Sequence, residues 1–210
     1  MANNFNNKIT RNVSADQTLP TYLYSVPTSK KTIVIELDVS NRSSSSQTIS
    51  VLIDDFTAKG SNVASTAASI SGNTIVTAAH GLTTGDRIRL TRSGTTAILN
   101  GGAAILTAGN NTDPVFYAIV VNATSFKLAS SHANATAGTA LTVTGTSAAA
   151  DIWNSLGFTY IVRDAPLPIG GALKVIAGQK LVMEATDSMI IHASSASSVD
   201  AIASILEDVS

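Results

Sequence analysis

No cysteine occurs among the 210 residues, which excludes disulfides, thiolate metal sites and a cysteine nucleophile. Charge is also scarce. Only 13% of the chain is charged against 44% hydrophobic, about half the usual charged fraction. Aromatic residues make up 5%, and Ala, Ser, Thr, Val and Ile fill the difference. Such a mixture suits half-buried strands and short polar turns better than amphipathic helices, whose wet face normally carries Lys, Glu and Arg. A weakly charged surface also favours lasting contact with other protein surfaces.

Further absences narrow the function classes. Thirteen basic and fourteen acidic residues leave a net charge of −1. The densest basic runs are "SKK" at 29–31 and "DRIRLTR" at 86–92, too short to follow a phosphate backbone, so nucleic-acid binding is not expected. Nowhere do eighteen apolar residues run together, so no membrane-spanning helix is expected. The opening "MANNFNNKITRN" lacks the apolar core of a secretory signal. The expectation is a soluble chain made in the cytoplasm.

What is present is strand periodicity. In "TIVIELDVS" (32–40), Ile33, Ile35, Leu37 and Val39 alternate with Glu36 and Asp38, which predicts one buried and one wet face. "NRSSSSQ" (41–47) then reads as a flexible hairpin loop, and "TISVLIDD" (48–55) returns with Ile49, Val51 and Ile53 inward. Strand signals resume at 158–164, 171–183 and 187–194. "VDAIASILEDV" (199–209) fits helical spacing through Val199, Ile202, Leu206 and Val209, and strand spacing through Val199, Ala201, Ala203 and Ile205. Its place after this run of β signals favours the strand.

Between these parts lies an interruption, flanked by the small-residue tracts "SNVASTAASISGN" and "GTSAAAD". Residues 63–150 hold only two acids, Asp86 and Asp113. A hairpin connection in a compact domain is usually about 2–5 residues, so so long an excursion should be a module of its own. The fold class expected is therefore all-β: an antiparallel β-sandwich formed by residues 1–62 and 151–210, interrupted by a small inserted β-barrel or sandwich module at 63–150. Joined at Asp55 and Phe158, the outer parts read as one antiparallel meander. They total about 120 residues, enough to bury about two-thirds of their surface in one core.

The chemistry is sparse. "TAAH", ending at His80, matches the way chymotrypsin-like proteases introduce their histidine, yet there is no "GDSGG" and no G-x-S-x-G elbow. "HGLTTGD" sits between two strand signals, and Gly81, Gly85 and Asp86 are turn residues. His80 is thus expected to end a strand, with Leu82 tucked under the loop. His132 reads as a loop residue, and His192 as facing solvent or a partner. The three histidines lack H-x-H or H-x-x-x-H spacing. Asp54, Asp55, Asp164 and Asp187 read as turn or strand-end acids. Glycosidase carboxylates would have to converge in a cleft, which spacing alone does not indicate. Matches to N-x-S/T at Asn12, Asn41, Asn122 and Asn134 are attributed to chance. No catalytic, cofactor-binding or metal-ligating residue is expected, and no cofactor.

Two resemblances add to this. "HGLTTGDRIRL", "PVFYAIVVNATSFKLASSHANATAGTALTVTGT" in the insert resembles a small β module that recurs in tailed-bacteriophage structural proteins, where Phe116 to Ile119 replace a typical "YYVI". The outer stretches "YSVPTSKKTIVIELDVSNRSSSSQTISVLI" and "YIVRDAPLPIGGALKVIAGQKLVMEATDSMIIHASSASSVDAIASILE" resemble β-sandwich virion proteins of marine and cyanobacterial phages. The resemblance implies a non-enzymatic virion component assembled in the host cytoplasm and present in many copies. It would dock through its sandwich onto tail, neck or baseplate and project the insert. Capsid decoration is the alternative, and host-glycan binding a further one, with Phe116, Tyr117 and Phe126 as the insert's aromatics. The implied partners are other virion proteins and copies of itself. The N-terminal arm 1–20, not expected to be ordered alone, and the C-terminal strand 199–209 are the expected docking elements.

Overall fold

The structure is a computed structural model, and it describes residues 4–55, 62–64, 70–71, 73–91, 99–100, 103–104, 115–144 and 152–207. Most of both small-residue tracts, and Asp113, lie outside them. The first strands are β1 (Asn4–Thr10), β2 (Thr21–Ser25), β3 (Thr32–Asn41) and β4 (Gln47–Asp55). Then come β5 (Asn62–Ala64), β6 (Ile70–Ser71), β7 (Thr74–Val76), β8 (Arg87–Thr91), β9 (Leu99–Asn100) and β10 (Ala103–Ala104). Strands β11 (Val115–Asn122) and β12 (Ser125–Ala129) precede the short helix α1 (His132–Thr136) and β13 (Val143–Thr144). The chain ends with β14 (Ile152–Leu167), β15 (Ala172–Ile176), β16 (Leu181–Met183), β17 (Ser188–Ala193) and β18 (Val199–Glu207).

Two compact units result. One comprises Met1–Asp16, Pro20–Thr57 and Phe158–Ser210, and the other Gln17–Leu19 with Ala58–Gly157. The sequence places the breaks at 62/63 and 150/151, whereas the units divide at 57/58 and 157/158.

The first unit is a two-sheet sandwich. One sheet has the order β1-β18-β3, with β15 and β16 following one another along the far side of β3. The other has the order β2-β17-β4-β14. Counting β15 and β16 as one position, the orders are first-eighth-third-sixth and second-seventh-fourth-fifth, which is the connectivity of a jelly roll. The expected meander is therefore corrected: most successive strands change sheets instead of pairing with their neighbour. Both sheets contribute to one core, with Val34, Leu37, Val39, Ala203 and Ile205 from the first facing Val51, Met189 and Ile191 from the second. The 199–209 segment is a strand whose Val199, Ala201, Ala203 and Ile205 point inward.

Two further expectations change for physical reasons. In β3, Thr32, Val34, Leu37 and Val39 are buried, so Ile33 leaves the inward set. The cause is a β-bulge: Ser204 opposes Glu36 and Ile205 opposes Val34, leaving Ile35 as an extra residue that reverses the alternation. The segment after β3 is also not a hairpin, because β3 and β4 lie in different sheets. Nor is it loose. Buried Asn41 donates through Nδ2 to the carbonyls of Ser45 (2.8 Å), Leu167 (3.1 Å) and Pro168 (3.0 Å). Its Oδ1 accepts from the Ser43 amide at 2.9 Å and the Ser43 hydroxyl at 2.8 Å. One amide side chain fixes the crossover.

The second unit is an antiparallel sheet in the order β8-β11-β12-β7-β6, with residues 152–156 of β14 flanking β8. A small β10-β9-β13 sheet accompanies it. Ile75, Leu82, Ile88, Phe116, Phe126, Leu128 and Val143 form its core.

Candidate functional site

The outward face of the β1-β18-β3 sheet is where the sandwich departs from the usual wet alternation. Register places Phe5 opposite Leu206, Leu206 opposite Ile33, and Ile33 opposite Val182. Opposed residues share a face, so these four form one apolar row across the sheet. Phe5 is 71% exposed and Val182 56%. The bulge at Ile35 is what turns Ile33 into this row. A second row runs Ile9, Ile202, Asp38, Lys174, with Ile9 62% exposed.

Between the rows stands a polar strip. Asn7 opposes Ser204, which opposes Glu36, and the Ser204 hydroxyl donates to Asn7 Oδ1 at 3.1 Å. Lys174 pairs with Glu36 and lies 3.7 Å from Asp38. The Glu36 hydrogen bond first, and then the charges of Asp38 and Glu36, raise the Lys174 amine above its ordinary value. The face therefore offers exposed aliphatic and aromatic surface edged by a compensated charge cluster. Contiguous apolar exposure of this kind marks contact surfaces.

Behind β1, a buried polar cluster anchors the strand to both sheets. The Tyr24 hydroxyl donates to Glu207 Oε1 at 3.0 Å and lies 3.0 Å from Thr32 Oγ1. Lys8 Nζ lies 3.4 Å from the same Glu207 oxygen and 5.1 Å from the centre of the Tyr24 ring, while Asn6 donates to Oε2 at 3.3 Å. The N-terminal arm is thus tied down over residues 4–10, and β18 lies inside its sheet between β1 and β3. Of the two expected docking elements, β1 is the edge and β18 is not.

The histidines fall in different settings. His80, 3% exposed, accepts the Leu82 amide at Nδ1 (3.0 Å), and its Nε2 lies 2.9 Å from the Asn122 carbonyl oxygen. An Nδ1 that accepts leaves the proton on Nε2, so both nitrogens are bound to backbone. The ring stands edge-on to Phe126 at 5.5 Å. His80 lies in the loop between β7 and β8 and does not end a strand. Leu82 is buried beneath that loop. The turn closes through Asp86, whose carboxylate accepts from the Thr83 amide and hydroxyl, both at 2.9 Å. Gly85 has φ +97, and a Cβ there would stand 3.0 Å from His132 Nε2.

His132 opens α1 behind the N-cap Ser131; it is not a loop residue. His192 is buried, correcting its expected outward role, because both faces of the interior strand β17 are buried. It pairs across the strands with Ser50, whose hydroxyl accepts from the Asp164 amide at 2.9 Å and lies 3.3 Å from Asp164 Oδ1. Ser50 is itself buried, so this Ser, His and Asp grouping presents no accessible nucleophile.

Among the acids, Asp164 lies inside β14 with φ 49 and does not end a strand. Asp187 precedes β17 and caps the preceding turn, accepting the Glu184 amide at Oδ2 (2.9 Å). Burial, and then the charges of Asp55 and Glu184, raise its pKa above the usual carboxylate range against that hydrogen bond. Asp54 and Asp55 end β4, with Asp54 buried. Among the described residues no group of three or more His, Asp or Glu side chains is placed to hold a metal ion. Phe116, Tyr117 and Phe126 are all buried, so they form no stacking platform for a sugar.

Sequence reasoning missed Asn41, Glu207 and the apolar row. A polar residue at an inward position of a strand pattern, as Glu207 is after Ile205, was the available signal. Compared with known proteins, the chain matches no protein-family model, no curated protein and no solved structure.

Proposed function

We propose that the chain is a non-enzymatic virion structural protein of a tailed phage, present in many copies, docking through its jelly-roll unit and carrying the inserted unit as an appendage. The observation that supports the docking role is the row Phe5, Leu206, Ile33 and Val182 on the outer sheet face, beside the edge strand β1. A jelly roll hosts several activities, capsid and lectin roles among them, so fold alone does not choose. The phage reading comes from the sequence resemblances, and tail, neck or baseplate is the favoured position.

The test is quantitative mass spectrometry of purified particles of the encoding phage, with wild-type chain and a Phe5→Asp, Val182→Asp variant. The reading expects many wild-type copies per particle and loss of the variant from particles while its melting curve stays near wild type. A chain absent from washed particles overturns it.

A further inference from the structure

We propose that the outer edge of β1 pairs antiparallel with β1 of a second copy, about a two-fold axis at Asn7. This inference rests on the jelly-roll edge alone and holds whatever particle carries the chain.

Three observations carry it. First, β1 is a regular edge among the described residues, and its one charge is compensated. Natural edge strands are protected by bulges, proline or charged side chains, inward-pointing ones included. Here the register with β18 runs unbroken from Asn4–Glu207 to Thr10–Ala201, the segment 4–10 contains no proline, and its one lysine, Lys8, is drawn to buried Glu207. Second, the strand is exposed where a partner would sit, with Phe5 and Ile9 well over half accessible. Third, its sequence "NFNNKIT" is self-complementary about Asn7. In that register Phe5 faces Ile9 of the second copy and Ile9 faces Phe5. Asn7 faces Asn7, Asn6 faces Lys8, and Asn4 faces Thr10. Apolar therefore meets apolar on the outer face twice, amide meets amide at the axis, and no like charges oppose. Aromatic and β-branched residues are favourable cross-strand partners.

An isologous contact of this kind closes as a dimer, so the edge is used up. It also extends the apolar row: Val182, Ile33, Leu206 and Phe5 of one copy continue into Ile9 and Ile202 of the other. The β1-β18-β3 sheets of the two copies become one.

The experiment uses the full chain. Sedimentation equilibrium should show wild type rising with concentration from 21.5 kDa to twice that mass. Ile9→Lys, a change at an exposed position, should hold the chain at the monomer mass. Because the chain has no cysteine, Asn7→Cys reports the register cleanly. Directly opposed Cα atoms in an antiparallel pair stand about 4.5–5.5 Å apart, within disulfide reach. Asn7→Cys should therefore form a covalent dimer under oxidising conditions, while Phe5→Cys alone should not. Phe5→Cys mixed with Ile9→Cys should cross-link. A wild type that stays monomeric and an Asn7→Cys that stays uncross-linked overturn the proposal and leave the edge to a different chain. A dimer that survives Ile9→Lys also overturns it, because the contact then lies elsewhere.

Discussion

Tyr24 and Glu207 are separated by 183 positions in sequence, yet the phenol of one donates to the carboxylate of the other at 3.0 Å across the sandwich. Tyr24 comes from β2 in one sheet and Glu207 from β18 in the other, so the bond spans the two layers. Tyr24→Phe removes the hydroxyl and leaves a buried carboxylate oxygen with the Lys8 ion pair alone. The expected loss is about 1–3 kcal/mol, the usual cost of stranding a buried polar group. Urea unfolding followed by circular dichroism measures it, and a midpoint equal to wild type would contradict the assignment.

The bulge at Ile35 makes a paired prediction. Val34→Thr places a hydroxyl in the core and should cost about 1–3 kcal/mol. Ile33→Thr changes an outward, half-buried residue and should cost less than about 1 kcal/mol. Were Ile33 the more sensitive site in thermal unfolding, the alternation would run without a bulge.

These two sites also mark what the sequence could and could not reveal. Strand existence was legible, because period-two patterns such as 32–40 and 199–209 need no tertiary partner to be recognised. Phase was not, since one extra residue reverses every side chain beyond it and nothing local announces Ile35. Sheet assignment was equally hidden. "NRSSSSQ" looks like any hairpin turn, and only the carbonyls of Leu167 and Pro168, distant in sequence, give Asn41 the partners that hold it as a crossover. His80 was half legible. The turn residues after it predicted a structural setting, whereas its backbone partner Asn122 lies 42 residues away.

For His80 the geometry predicts one tautomer. Nitrogen chemical shifts of the neutral ring should show the proton on Nε2, because Nδ1 accepts the Leu82 amide. His80→Phe keeps the bulk and strands both backbone groups, with an expected loss of about 1–3 kcal/mol in the stability of the second unit. A ring protonated at Nδ1 would contradict the arrangement.

Asp187 predicts a pH dependence. Its folded value is raised above that of an ordinary aspartate, chiefly by burial, so the folded state holds the proton more tightly than the unfolded chain does. Its contribution to stability is then fully present below the unfolded value and is lost as pH rises through the folded one. Asp187→Asn keeps an oxygen to accept the Glu184 amide and removes the buried charge. The variant should be at least as stable as wild type at neutral pH, with a flatter stability profile just above the ordinary aspartate range. A variant clearly less stable at neutral pH, measured by urea midpoints across that range, would contradict the burial argument.

The function proposed above is that the outer face of the β1-β18-β3 sheet seats this chain in a phage particle. Cryo-electron microscopy of the encoding phage, with the chain traced into the reconstruction, tests it most directly. The account predicts repeated copies on tail, neck or baseplate, with Phe5, Ile33, Val182 and Leu206 covered by a neighbouring chain. Copies over the capsid lattice would contradict the favoured position, and particles without the chain, or with that face open to solvent, would contradict the docking role itself.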